Sequence, residues 1–457
     1  MFIGREKELR LLEDQFNSAE RTAVLVYGKR RIGKSTLIAE AAKSYEGIVV
    51  EHLCIQSTLQ GNMEMLCRSV SRALGLPRLQ FEHIYDVFDF LAAQDRNMLV
   101  VLDEYQYLKQ AVRGNEMDSY LQAIIDSLPA NIKLVLCGSY ISVMKELTEE
   151  ANPLFGRFSA IVHLREFDYL DASQFYPDAS PYDKVAFYAL FGGSPFVLST
   201  LDPRVSAQQN FESLLLPETG ILRTHIENVM LKEVQKSFDI RILEIIGNGK
   251  KRYSEIQGKL GGPNNGLLDK QLKSLMEMET VKKSYPINKG SDKKKQFYEI
   301  EDNLMRAYFA FLFGNTALVS RLGEHVFFER EVAPTCTQFI SRRYEEIVQQ
   351  YFSRLARAGR IDGVEDFGSY WFDDPATRTN GEFDCVMARN GKLDFYECKY
   401  RTKAMGLGEC RAEEEQVRAI SDVEVGTVGF ACTGGFDFES DDYALVAGDD
   451  LYDYSLL

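Results

Sequence analysis

The chain has 457 residues, 45% of them hydrophobic and 26% charged, enough for about three domains that each bury a core. Its formal net charge of −15 excludes a protein that coats nucleic acid non-specifically, because such binding needs a basic surface. No stretch reaches the ~18 uncharged apolar residues of a membrane helix, and the charged, helix-forming start MFIGREKELRLLEDQF does not read as a signal peptide. The eight cysteines form no CxxC pair and read as thiols kept reduced, so the expected location is the cytoplasm.

Residues 1–20 predict an amphipathic helix, and AVLVYG (23–28) a buried parallel strand that ends in glycine. A helix should run from Lys34 to about Ser44, a strand over 47–55, and helices over 60–95 with a break at 75–77. NMLVVLDEYQYL (97–108) is a strand that runs into acid, MDSYLQAIIDSL a helix, and IKLVLCGSY (132–140) another buried strand. Strands alternating with helices imply an α/β fold, a parallel sheet covered on both faces.

The segment 165–235 is helical in pattern, with the turn FGGSPFVL at 191–198. Three short helices follow, RILEIIG, YSEIQGKL and LLDKQLKSLMEME, then the strands VKKSYPI and KQFYEIE joined by NKGSDKK; this is the pattern of a winged helix-turn-helix. From about residue 335 a second α/β unit is expected. It has a helix (SRRYEEIVQQYFSRLARAG), the strands SYWF, GEFDCVMAR and KLDFYECKY, a helix around EEEQVRAI and the strand VGTVGFACT. The last stretch, 434–457, holds seven acidic residues and no Lys or Arg, and reads as a solvated, partly ordered end.

Gly28-Lys29-Arg30-Arg31-Ile32-Gly33-Lys34-Ser35 fits GxxxxGK[ST] at every position, between a strand and a helix as the motif requires. The glycines let backbone N–H groups turn toward phosphate oxygens, and the helix that follows adds its positive end. Lys34 is placed to reach the β and γ phosphates of ATP, and Ser35 to hold Mg²⁺, with Thr36 beside it. Asp103-Glu104 closes a buried strand about 70 residues later. Asp103 is expected to order Mg²⁺ through water, and Glu104 to polarise the attacking water.

IGRE (3–6), GKRRIGKST, VVLDEYQYL, LCGSY and NPLFGRF, in that order, resemble the prokaryotic "archaeal ATPase" group within the AAA+-related, STAND-type P-loop ATPases, over about the first 330 residues. The resemblance implies that Ser139 reads the γ-phosphate, that Arg157 is an arginine finger, and that Gly193-Ser194-Pro195 is the GxP turn of that group. Taken from the residues alone, Ser139 is equally a strand-end hydroxyl and Arg157 a surface charge.

A second chemistry lies near the end of the chain. Glu397 and Lys399 are two apart in one strand and share a face; if GEFDCVMAR pairs with that strand as a hairpin, Asp384 joins them. Two carboxylates and a lysine would hold Mg²⁺ or Mn²⁺ and a nucleophilic water beside a phosphodiester. The arrangement resembles the PD-(D/E)xK, restriction-endonuclease-like fold, with Glu345 matching the acid of its first helix and Gln416 a later polar residue. The proline of that motif is absent, and Phe383 precedes Asp384.

The resemblances imply a P-loop ATPase core at 1–165, a helical lid at 166–235, a winged helix with connecting helices at 236–330 and a nuclease-like domain at 331–457. The leading expectation is a switch ATPase whose C-terminal domain binds or cleaves nucleic acid. The alternative is a STAND-type regulatory ATPase whose C-terminal domain is an inactive binding module. The lysine-rich hairpin 282–295 either contacts DNA or serves as a solvated packing element. ATP, DNA and a second copy of the chain stand as candidate partners, and a membrane does not.

Overall fold

The computed structural model describes residues 2–231, 238–262, 266–374, 379–420 and 423–457. The chain divides into two compact units, Met1–Glu166 and Phe167–Leu457.

The first unit is built on five parallel strands: β1 (Thr22–Tyr27), β2 (Ile48–Leu53), β3 (Met98–Asp103), β4 (Ile132–Gly138) and β5 (Ala160–His163), in the order β2-β3-β4-β1-β5. The three central strands are almost wholly buried, which is why they read as continuous apolar runs. Their side chains nevertheless divide by parity between two cores. Leu25, Val100, Leu102 and Leu134 pack with Leu66, Val70, Phe88 and Leu121. Val24, Val26, Leu99 and Val135 pack with Leu12, Phe16, Leu37 and Ile38 from the first helix (Glu6–Phe16) and the helix after the glycine loop (Lys34–Ala41). The expected two-sided cover of a parallel sheet is what the structure shows.

In the second unit, helices between Tyr169 and His225 enclose a core with Phe187, Phe191 and Phe211 fully buried. The helices Arg241–Gly247, Tyr253–Leu260 and Leu267–Glu277 accompany a small antiparallel sheet of β6 (Lys251–Arg252, between the first two helices), β7 (Val281–Ser284) and β8 (Phe297–Ile300), ordered β6-β8-β7. A 25-residue helix, Ala333–Arg357, leads into a five-stranded mixed sheet. That sheet comprises β9 (Val364–Asp374), β10 (Thr379–Arg389), β11 (Lys392–Lys399), β12 (Val425–Cys432) and β13 (Ala444–Ala447), ordered β13-β12-β11-β10-β9. β9, β10 and β11 form an antiparallel meander; the helix Leu407–Arg418 carries the chain to β12, which runs parallel to β11. Parity again separates two layers. Cys385, Met387 and Tyr396 face Tyr344, Ile347 and Phe352 of the long helix, whereas Val386, Phe395 and Phe430 face Cys410 and Val417.

The acidic end is better ordered than its composition suggested. β13 pairs with β12 from Gly429↔Ala444 to Cys432↔Ala447, and Leu451, Tyr452 and Leu456 are buried. Arg354 donates to the Leu456 carbonyl at 2.8 Å, and the Tyr169 hydroxyl to the Leu451 carbonyl at 2.8 Å. The acids stay on the surface while the alternating apolar residues fold inward, so charge counting alone misjudged this segment. All eight cysteines are free thiols. Among the described residues no helix is long and apolar enough to cross a membrane.

Candidate functional sites

β1, between β4 and β5, ends at Tyr27, and the next six residues wrap around the N-terminus of the helix Lys34–Ala41. Gly28 has no substitute here, since a Cβ would stand 2.2 Å from the Leu164 carbonyl oxygen. Gly33 caps the helix at φ 91°, in the left-handed region that glycine enters without steric cost. Ile32 is buried under the loop and anchors it. The Lys34 ammonium lies inside the turn, donating to the carbonyls of Gly28 at 3.0 Å and Lys29 at 2.9 Å. Burial lowers its pKa, and the fields of Cys137, Glu104 and Asp103 oppose that. Lys29 pairs with Glu166 at 3.5 Å. Arg30 donates to the Tyr107 hydroxyl at 2.7 Å and stacks over the Tyr140 ring. Arg31 takes φ 62° in the turn, and Ser35 and Thr36 open the helix on its exposed side.

Asp103 and Glu104 reach this loop from the tip of β3. The Ser35 hydroxyl donates to Asp103 Oδ2 at 2.6 Å. Glu104 sits at φ 54°, an uncommon conformation for a residue with a Cβ, and this aims its carboxylate across to the tip of β4. There the Ser139 hydroxyl donates to Glu104 Oε2 at 2.7 Å, and the Gln106 amide donates to the same oxygen. Gln106 also donates to Ser139 Oγ at 3.2 Å and accepts from the Ser139 N–H at 3.3 Å. The structure therefore gathers Lys34, Ser35, Asp103, Glu104 and Ser139. Gln106, Tyr107 and Tyr140 complete the surroundings; they belong to no spacing motif, and sequence reasoning missed them. Arg157 stands apart. Its guanidinium is bound to Asp126 at 3.1–3.3 Å and to the Phe155 carbonyl at 3.3 Å, with no loop residue among its partners.

In the second unit, β10 and β11 pair as the antiparallel hairpin with Cys385 opposite Tyr396. Asp384 and Glu397 each lie one step beyond that pair, on neighbouring strands. Lys399 Nζ lies 2.7 Å from Glu397 Oε1 and 3.0 Å from Glu413 Oε1 on the helix Leu407–Arg418; Gln416 donates to the other Glu413 oxygen at 2.9 Å. Glu345 approaches from the long helix that covers the opposite face. Its carboxyl is pushed up to about 9, first by burial and then by Asp384. Asp384 is raised to about 6 by burial, with Lys250 pulling it back down and the acids Glu382 and Glu397 adding to the rise. The acids thus share one field. Among the described residues, the only three or more His, Cys, Asp or Glu ligand atoms within 4.8 Å of one another belong to Glu212, His325 and Glu329, so Glu345, Asp384 and Glu397 do not all three converge within that distance. Glu413, Glu382 and Lys250 were not legible as members of this site.

Residues 2–201 match a family described as an ATPase domain predominantly from Archaea, and residues 308–418 match a family of archaeal and bacterial proteins of unknown function. An uncharacterized protein of Methanocaldococcus jannaschii is 26% identical over 366 residues, 79% of each chain. Among solved structures, a Walker-type ATPase of Pyrococcus abyssi aligns with a TM-score of 0.49 at 20% identity, covering 67% of this chain and 96% of that one. The ORC2 protein of Aeropyrum pernix, solved in ADPNP–ADP complexes, aligns at 0.46 and 13% identity, covering 69% and 94%. The chain carries an archaeal-type ATPase domain over residues 2–201, and the protein is an ATP-hydrolysing enzyme.

Proposed function

We propose that the protein is a switch ATPase whose second unit binds or cleaves nucleic acid under the control of the first. In this reading residues 1–165 are the ATPase core, 166–235 a helical lid, 236–330 a winged helix with its connecting helices, and 331–457 a PD-(D/E)xK nuclease-like domain. The observation that carries it is that one chain holds a second charged site on neighbouring strands of a mixed sheet, Asp384 on β10 and the paired Glu397 and Lys399 on β11.

At the nucleotide site, Ser35 Oγ and Asp103 Oδ2 are hard oxygen donors already paired at 2.6 Å, and they fit Mg²⁺. A bound Mg²⁺ would neutralise phosphate charge. Lys34 would leave the loop carbonyls for the β and γ phosphates. Glu104 is the general base, and Ser139 and Gln106 hold its carboxylate in place through donated hydrogen bonds. Arg157 is assigned no role within its own copy; it would act on nucleotide only from a neighbouring copy of the chain, once released from Asp126.

In the second unit, Glu345, Asp384 and Glu397 offer hard oxygens for Mg²⁺ or Mn²⁺, and Lys399 is placed to orient water or to balance charge on a phosphodiester. Basic residues line the cleft beside Asp384, among them Lys251, Lys283 and Arg342. That the three acids do not all converge within 4.8 Å favours a second reading, a regulatory STAND-type ATPase whose C-terminal module binds without cutting. One assay decides. The intact protein in Mn²⁺, with and without ATP, should nick DNA, and Lys399→Ala and Asp384→Ala should not. Metal-induced stabilisation without cleavage of DNA or RNA gives the second reading.

A further inference from the structure

Six carboxylates, those of Glu299, Glu345, Glu346, Asp366, Glu382 and Asp384, line a cleft of about 730 Å³ in the second unit. Glu346 is matched by Arg306 at 3.1 Å, Lys282 at 3.2 Å and Arg343 at 3.6 Å. Glu299 shares Arg306 at 3.2 Å. For Glu345, Glu382 and Asp384 the leading cation is Lys250, with Arg342 adding a weaker pull on Asp384. Lys250 Nζ lies 3.0 Å from Glu382 Oε1, the oxygen that also accepts from the Ser369 hydroxyl at 2.6 Å. Lys250 is the leading attractive charge felt by both Glu345 and Asp384. It does not belong to the C-terminal sheet. It immediately precedes β6, in the small sheet that also contains the β7–β8 hairpin.

The tip of that hairpin is docked on the same domain. Asn288 donates through Nδ2 to the Trp371 carbonyl at 2.7 Å and accepts from the Trp371 N–H at 3.1 Å, so one side chain imitates a strand partner on the free edge of β9. Ile287 packs against the core of the sheet, and the Lys295 ammonium lies 3.1 Å from the Trp371 ring centroid. The hairpin that could reach nucleic acid is therefore folded back on the carboxylate cleft.

We propose that Lys250 is a built-in cation of this cleft, that a divalent metal must displace it, and that metal loading thereby releases the hairpin tip from β9. The inference rests on reading the cleft as a metal site. Two cations among the same carboxylates repel, so a divalent ion competes with the Lys250 ammonium for them. Displaced, Lys250 strains the small sheet it borders, whose tip is held on β9 by one asparagine, one isoleucine and one lysine.

Trp371 is the only tryptophan in the chain and sits at the contact to be broken. The full-length protein without nucleotide is titrated with Mn²⁺ by calorimetry, and with Mg²⁺ while Trp371 emission and acrylamide quenching are followed. Lys250→Gln should bind Mn²⁺ at least ~10-fold more tightly than the wild type, equivalent to removing roughly 1.4 kcal/mol of competition, and Lys250→Arg should bind as the wild type does. Mg²⁺ should increase Trp371 quenching in the wild type, and Asn288→Ala should show that increase without metal. Asp384→Asn should abolish both responses. If Lys250→Gln, folded by circular dichroism, binds Mn²⁺ no more tightly than the wild type, Lys250 is not a competitor and the inference fails while the metal reading stands. If none of the proteins binds metal in a manner that depends on Asp384, the metal reading falls and takes the inference with it. Metal binding that leaves Trp371 unchanged overturns the release of the hairpin.

Discussion

Glu104 pays a local conformational cost. A residue with a Cβ held at φ 54° costs of the order of 1 kcal/mol or more, and it persists because Ser139 and Gln106 fix the carboxylate from the neighbouring strand and helix. That geometry makes Glu104→Gln a clean test. The shape is kept, ATP still binds, and hydrolysis should fall at least ~10²-fold, the scale of a lost general base; steady-state turnover against a binding isotherm separates the two effects. Lys34 is buried and holds only loop carbonyls until a phosphate replaces them. Lys34→Ala should abolish measurable ATP binding in calorimetry with thermal unfolding little changed. Unaltered affinity would remove Lys34 from the phosphate site.

At the scale of single elements, β2 carries an unusual burden. Among the described residues it is an edge strand paired only with β3, and it buries His52 at 2% exposure with no hydrogen-bond partner for Nε2 among them. Burial lowers the His52 pKa to about 4. The unfolded chain takes up this proton near its ordinary value of ~6.5, whereas the folded chain refuses it until about pH 4. The unfolded state therefore binds more protons across that window, and stability must fall as pH drops through it. The contribution is intact above about pH 6.5, and about 3 kcal/mol is lost by pH 4. His52→Leu should flatten this acid limb in urea titrations at pH 7 and pH 4.5, and an unchanged slope would show that His52 is not its source.

Across the second unit, long-range polar contacts hold distant segments together. Arg354 on the long helix bonds Asp168 at 2.6 Å, Asp171 at 2.8 Å and the Leu456 carbonyl at 2.8 Å, so one guanidinium joins the start of the unit to its acidic end. Removing this largely buried cation takes a shared partner from two carboxylates. Arg354→Ala should cost about 3 kcal/mol and expose the segment after residue 434 to limited proteolysis. A variant with wild-type melting and cleavage patterns would show that the apolar residues Leu451, Tyr452 and Leu456 dock the end without it.

How much the amino-acid sequence determined depends on how local each feature is. The phosphate loop, its strand and its helix lie within twenty residues, and the glycines that the turn demands are visible as glycines. Glu397 and Lys399 could be placed on one face because strand parity is a local rule, and the β10–β11 hairpin that joins Asp384 to them is a short-range pairing. Tertiary structure alone decided the rest. Ser139 becomes a clamp on Glu104 only because β3 and β4 are neighbours. The acidic end becomes a strand and a buried turn only because β12 and Arg354 are there to receive it. Lys250 meets Glu382 from 132 residues away. A single lysine before a two-residue strand carries no periodicity or motif, and only the folded chain brings its charge to the carboxylates.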